Sequence, residues 1–197
     1  MASLLIILWH WLTPFSFSPA ASVESATFDI LYHDRVIGEL VSSRERTGNQ
    51  EIYRNTTTIR TRVFTQIEVQ YQSRVVYQDG ILQEATVTSL FNGDVYDNVK
   101  TQKVGNDYQF YKDGKLKRTL QGPITFSAQQ MYFKEPAGIS SAYSEEAGVF
   151  HTIKADDKAK YSKINSRGRT NYFYYENQYL KKIELDGGLF EVVMIRK

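Results

Sequence analysis

Cysteine is absent from the 197-residue chain. Its absence excludes disulfides, thiol nucleophiles and thiolate metal sites. Histidine is nearly absent: there are three in all, and only His33 and His151 lie beyond residue 22. Two imidazoles without a thiolate make a poor transition-metal ligand set, so no metal and no cofactor are expected. An excess of either charge is also missing. The 24 basic and 22 acidic residues leave a net +2, which supplies little field for nucleic acid or an anionic membrane surface. The apolar run Leu4–Leu12 is too short to span a bilayer as a stable helix, so no stable membrane span is expected. There is no Gly-x-Ser-x-Gly elbow. No glycine-rich loop leads from a strand into a helix to cradle a nucleotide.

What is present begins with that apolar run. It is followed by Thr13, Pro14 and Pro19, then by the small residues Ala20, Ala21 and Ser22. An apolar core, a helix breaker and small residues are the order of a cleaved export signal. Residues 1–22 carry no Asp, Glu, Lys or Arg, so the amino terminus is the only positive charge of this segment. No cysteine follows to accept a lipid. The reading is a signal over 1–22 and one domain over 26–197, exported to the periplasm or released. That length suffices for one buried core.

The clearest structural signal runs from Val63 to Tyr77. Odd positions (Val63, Thr65, Ile67, Val69, Tyr71, Ser73, Val75, Tyr77) alternate with a mostly polar face. Period two over this length predicts a strand of about 50 Å at about 3.3 Å per residue. A strand that long twists and should wrap something. Turn signals recur along the rest of the chain: His33-Asp34-Arg35, Gly48-Asn49, Asp79-Gly80, Asn92-Gly93, Gly105-Asn106-Asp107 and Asp113-Gly114. They continue at Asp156-Asp157, Ser166-Arg167-Gly168, Glu176-Asn177 and Asp186-Gly187-Gly188. Asn-Gly and Asp-Gly suit two-residue hairpins. Between them lie alternating runs, such as Phe28, Ile30 and Tyr32. Leu189, Glu191, Val193 and Ile195 form another. Fourteen Tyr and eleven Phe fit a half-buried sheet. Strands at this spacing predict an antiparallel meander and argue against βαβ units.

One segment breaks the pattern. Ile124, Ala128, Met131 and Tyr132 recur at i, i+4, i+7 and i+8, with Pro123 before them and Pro136 and Gly138 after. This predicts one short helix over roughly 124–133, with about seven strands before it and four or five after it.

Several residues invite chemistry. His151 beside Glu145 or Glu146 could form an acid–base pair, and a half-buried strand histidine is the plainer reading. His33 reads as an exposed turn residue. Ser127 and Ser144 have no evident base. Asp156-Asp157 offers oxygen ligands, but Ca²⁺ needs six to eight; with Lys154 and Lys158 alongside, a solvated turn is preferred. Glu145 and Glu146 are adjacent in a hairpin corner, and neighbouring strand residues face opposite sides, which argues against a dyad. Glu135 precedes Pro136 at the helix end and should pair with a lysine or arginine, or cap a backbone group. Tyr172-Phe173-Tyr174-Tyr175 lies between Arg167, Arg169 and Lys181, Lys182. Such a stretch could stack single-stranded bases, but a strand splits consecutive aromatics between two faces, so cross-strand packing is preferred. Asn55-Thr56-Thr57 matches a glycosylation acceptor.

The run Gly122-Pro123-Ile124-Thr125-Phe126-Ser127, then Met131-Tyr132-Phe133-Lys134-Glu135-Pro136, Gly138-Ile139, Tyr143-Ser144-Glu145 and Gly148-Val149-Phe150 resembles the signature of a domain-of-unknown-function family. Its members are small exported proteins typical of Bacteroidota. Phe28-Asp29-Ile30, Ile37-Gly38 and the Tyr172–Lys182 stretch look like the same family. The resemblance implies an exported β-rich domain and carries over no catalytic or binding residue. The architecture is also similar to periplasmic lipoprotein-carrier half-barrels.

The expected fold is mainly β: a long curved antiparallel meander, a half-barrel wrapped around one short helix. The expected function is non-enzymatic binding of an apolar or lipid-like ligand in the cell envelope, since a curved sheet over a helix can leave an apolar cavity. Phe28, Ile67, Val69, Tyr71, Phe126 and Met131 are its candidate wall. The same residues could instead fill the core. The alternative is a structural or protein-interaction domain of the envelope, with a partner protein on the sheet edge formed by the terminal strand through Ile195. There the charges of Arg196 and Lys197 would blunt stray pairing. A hydrolase using His151 and a glutamate ranks below both. Nucleic acid is not an expected partner.

Overall fold

The computed structural model describes residues 21–62, 66–186 and 191–197. Most of the expected export segment, and Val63, Phe64 and Thr65 of the long alternating run, lie outside these residues. Eight strands come first: β1 (Ser22–Tyr32), β2 (Arg35–Thr47), β3 (Gln50–Arg62), β4 (Gln66–Gln78), β5 (Ile81–Phe91), β6 (Asp94–Val104), β7 (Asp107–Lys112) and β8 (Lys115–Leu120). Six follow a crossing segment: β9 (Ser141–Ser144), β10 (Val149–Asp157), β11 (Lys160–Ile164), β12 (Thr170–Glu176), β13 (Tyr179–Asp186) and β14 (Glu191–Arg196).

All fourteen form one antiparallel sheet in the order β8-β7-β6-β5-β4-β3-β2-β1-β14-β13-β12-β11-β10-β9. Every neighbour is a hairpin neighbour except one pair. β1 joins β14, with Phe28 opposite Arg196 and Leu31 opposite Val193. The sheet is thus two meanders joined at the middle, and it stays open. The terminal strand is therefore not an edge, contrary to the expectation from Arg196 and Lys197. It lies between β1 and β13, and Lys197 bridges to Asp29 and Glu39 on the first arm. The edges among the described residues are β8 and β9.

The hairpins follow the turn chemistry. Asn92 and Gly93 have φ of 51° and 89°, the pair of positive values that a two-residue turn matched to strand twist requires. His33 and Asp34 adopt the same region without glycine (φ 47° and 59°), and the His33 ring stacks on Tyr32 at 4.1 Å. The turn expected at Asp156-Asp157 instead falls on Lys158 and Ala159, and both aspartates end β10.

Curvature comes from interruptions of register. Six strand pairings shift, at Ile30/Leu31, Val76/Tyr77, Ser89/Leu90, Phe110/Tyr111, Ala155/Asp157 and Tyr174/Tyr175. Each such bulge bends its strand and increases twist. The shift beside Tyr77 also breaks the alternation: Val75, Val76 and Tyr77 are all buried, and Leu82 rather than Ile81 faces inward.

The concave side is filled by residues 122–140. They do not form the expected α-helix. Only Ala128–Tyr132 is helical, as a single 3-10 turn. Helical spacing of apolar residues here marks burial: Ile124 and Met131 are fully buried, yet Ile124 sits in an extended stretch. That stretch pairs with both arms, since Leu82 N–H donates to Ile124 O (2.9 Å) and Tyr143 N–H donates to Phe126 O (3.0 Å). A non-helical backbone in a core must find other partners, and tyrosine hydroxyls supply them. Ile124 N–H donates to the Tyr108 hydroxyl (3.2 Å), which itself donates to Leu82 O (3.0 Å). Tyr175 Oη donates to Met131 O at 2.6 Å. The plug is thus pinned from β7 on one arm and from β12 on the other.

Candidate functional site

The concavity is not completely filled. A cavity of about 320 Å³ remains between β2–β4, the 3-10 turn and β11–β14. Leu40, Ile59, Val69, Phe173 and Met194 supply an apolar wall. Ile59 and Val69 are direct partners across β3 and β4. A recess of about 300 Å³ lies beside β13 and β14, lined by Tyr172, Glu184 and Glu191 among others. None of its lining residues is buried, so it belongs to the surface.

Of the six residues expected to form the wall, Val69 and Tyr71 line the cavity. Phe28 and Met131 are fully buried, and Phe126 nearly so, within the largest core cluster. Phe28 packs edge-on to Tyr132 at 5.9 Å, and Tyr132 does reach the cavity. Ile67 is half-buried on β4 and is not part of the lining.

Polar residues that sequence spacing does not bring together also meet here: Gln129, Glu145, Glu146 and Lys163. Glu145 sits in the β9–β10 turn and is 5% exposed. Its Oε1 accepts the Gln129 N–H at 3.1 Å. Burial pushes its carboxyl above the usual range, against opposing hydrogen bonds and the attraction of Lys163. Lys163, on β11, is lowered by loss of solvent and supported by Glu145 and Glu146. Its ammonium lies 5.9 Å from the centre of the Phe173 ring. No direct ion pair joins it to either glutamate. Gln129 is 3% exposed; its amide donates to Ser73 Oγ, while its Oε1 has no partner. The Tyr71 hydroxyl is pushed well above the ordinary phenol value, first by burial and then by Glu145 and Glu146. The one sequence signal for this cluster was the Glu145-Glu146 pair. Both residues do face the cavity, because they sit in a turn where strand alternation does not apply.

His151 is buried on β10 opposite Ala142. Burial, then the Lys163 charge, lowers its imidazole to about 4, and its Nδ1 has no partner. It is therefore neutral at neutral pH and makes no hydrogen bond to Glu145 or Glu146 through Nδ1. Glu135 is held by the Tyr161 hydroxyl at 2.9 Å rather than by the expected lysine, arginine or backbone group. The four aromatics of β12 divide as strand geometry dictates. Phe173 and Tyr175 are buried, while Tyr172 and Tyr174 lie on the outer face beneath Lys160 at 4.7 and 5.3 Å. Asn55 is buried in mid-strand and accepts from Ser42 Oγ at 2.6 Å, which leaves no room for a glycan in the folded chain. Among the described residues no group of histidines and carboxylates is arranged to hold a metal, and no helix is long and apolar enough to cross a membrane.

A family model described as Domain of unknown function (DUF6134) matches residues 28–197. A crystal structure of a beta-barrel-like protein of Domain of Unknown Function DUF1849, from Brucella abortus, is similar in fold. It superposes with a TM-score of 0.57 at 13% identity, over 91% of this chain and 97% of that one. No curated protein matches the sequence.

Proposed function

The chain belongs to the DUF6134 family, and we propose that it is an exported, non-enzymatic protein of the cell envelope whose concavity holds a small apolar or lipid-like ligand. The cavity between the two arms carries this reading: it is walled by Leu40, Ile59, Val69, Phe173 and Met194 and floored by the plug. Concave, mostly apolar recesses with a few convergent polar groups are the usual form of a small-molecule site. At about 320 Å³ it lies at the low end of such sites, which run from about 300 to 1,000 Å³. One short apolar chain suits it better than a two-chain lipid. The apolar run Leu4–Leu12 and the small residues after it support export. Native mass spectrometry of protein purified without detergent from its envelope fraction tests the reading. A bound species of a few hundred daltons, released on denaturation, is the expected result. A clean apo mass, with no uptake of added short-chain amphiphiles, would remove it.

A second reading is a protein-interaction domain. The edge strand β8 favours it, because Lys115 through Thr119 are all exposed on a strand with one open side. Crosslinks from Lys115 or Lys117 to an envelope protein would support this reading. Recovery of uncrosslinked monomer alone would remove it.

A further inference from the structure

Within the cavity reading, on which this inference rests, we propose that Lys163 is a nucleophile that captures an aldehyde-headed apolar chain as a protonated imine. Lys163 lines the cavity together with Val69, Phe173 and Met194. Its ammonium lies 5.9 Å from the centre of the Phe173 ring. Among the described residues it makes no hydrogen bond and no direct ion pair. Other ammonium groups are committed: Lys100, Lys112, Lys181, Lys182 and Lys197 each bridge to a carboxylate. Lys163 is half-buried rather than sealed, and its Nζ keeps accessible surface, so the head of a chain in the cavity can reach it. An amine drawn out of bulk water into an apolar recess gives up its proton more readily, which is one way lysines become nucleophiles. Loss of solvent lowers Lys163 in this way, although Glu145 and Glu146 pull in the opposite direction.

The step balances without a further reagent. The ammonium gives one proton to a glutamate of the lining. Glu145, whose carboxyl lies above the usual range, suits that role. The freed Nζ lone pair attacks the aldehyde carbon, the carbonyl π pair moves to oxygen, and a proton passes from nitrogen to that oxygen. The glutamate then returns its proton to the hydroxyl, the C–O bond breaks and water leaves. The nitrogen lone pair closes the C=N bond. The product is an iminium with the same single positive charge as the original ammonium. The two glutamates that attract the ammonium attract this cation equally, and the apolar wall takes the chain. An alcohol or amine head offers no electrophilic carbon, so it can bind but not be captured.

Reductive trapping tests the capture. The protein, purified without detergent, is treated with octanal and sodium cyanoborohydride at neutral pH, and octylated lysines are mapped by peptide mass spectrometry. Octanol binding, followed by isothermal titration, reads the cavity independently. Lys163 should be octylated at least about tenfold faster than the exposed Lys115, Lys154 and Lys158, and excess octanol should slow Lys163 alone. Lys163→Arg should lose that label and still bind octanol, since a guanidinium keeps the charge but not the free amine. Octylation of Lys163 no faster than of the exposed lysines, or unaffected by octanol, would overturn the capture. Octanol binding without that selective label would leave the cavity reading standing; absence of both would remove the cavity reading as well. Should Lys163→Arg fold poorly, competition by octanol in the wild-type chain decides the matter in its place.

Discussion

The Tyr143 hydroxyl lies 2.7 Å from Thr101 Oγ1, and both residues are fully buried. The contact joins edge strand β9 of the second arm to β6 of the first, across the concavity. Tyr143→Phe should destabilise the fold by about 1–3 kcal/mol, because the Thr101 hydroxyl loses its partner. Adding Thr101→Val should recover part of that loss, since an apolar pair of similar shape needs no hydrogen bond. Urea unfolding of the two single variants and the double checks the cycle. Strictly additive losses would mean that the two hydroxyls do not act as a pair.

The plug depends on tyrosine. Tyr175→Phe leaves the Met131 carbonyl without its donor, and a loss of about 1 kcal/mol is expected. Hydrogen exchange should report faster opening of residues 128–133 than of β3 and β4. Uniform acceleration everywhere would show that the hydroxyl supports the whole domain equally.

His151 makes stability depend on pH. Its folded value of about 4 lies below the ordinary 6.5 because burial, then Lys163, opposes its charge. Between those values the unfolded chain binds more protons, so stability rises with pH. The contribution is complete above about 6.5 and is lost as pH falls toward about 4, on the order of 3 kcal/mol in total. Glu145 acts in the opposite sense. Its raised carboxyl holds its proton longer in the folded state, so its contribution is lost as pH rises through the raised value. Comparing wild type with His151→Leu isolates the imidazole. The difference in urea-unfolding free energy should change between pH 4 and pH 6.5 and stay flat above. A difference that does not change with pH would sink this assignment.

Gly148 has φ of +64° and faces the Phe110 ring, which a Cβ at that position would strike. Gly148→Ala therefore combines left-handed backbone cost with overpacking, and about 2–4 kcal/mol of destabilisation is expected. Phe110→Leu in the same chain should relieve the clash but not the backbone cost. Thermal melts of Gly148→Ala alone and with Phe110→Leu measure the two parts.

The local features were legible in the sequence and the distant pairings were not. Asn92-Gly93 and Asp113-Gly114 announce their turns because positive φ is a property of the residues themselves. The alternation from Ile67 to Val75 announces a strand with one buried face. The bulge at Val76/Tyr77 is invisible, since nothing in Val-Val-Tyr says which residue gives up its pairing. Ile124, Ala128, Met131 and Tyr132 mimic a helix because burial alone dictated those residues, while backbone geometry was set by Tyr108 and Tyr143 from other strands. The cavity follows the same division. Val69 and Tyr71 could be named from their strand. Gln129, Glu145 and Lys163 could not be grouped, because no periodicity links a plug, a hairpin corner and a distant strand.

The central seam between β1 and β14 has a consequence for synthesis. Of the described strands β1 is made first and β14 last, so the first arm emerges with one flank of β1 bare until the second arm has followed. Phe28 and Ile30, the deepest residues of that strand, stand beside the bare flank for the entire interval. Whatever keeps the nascent chain from pairing with its neighbours must act there, before the two halves meet.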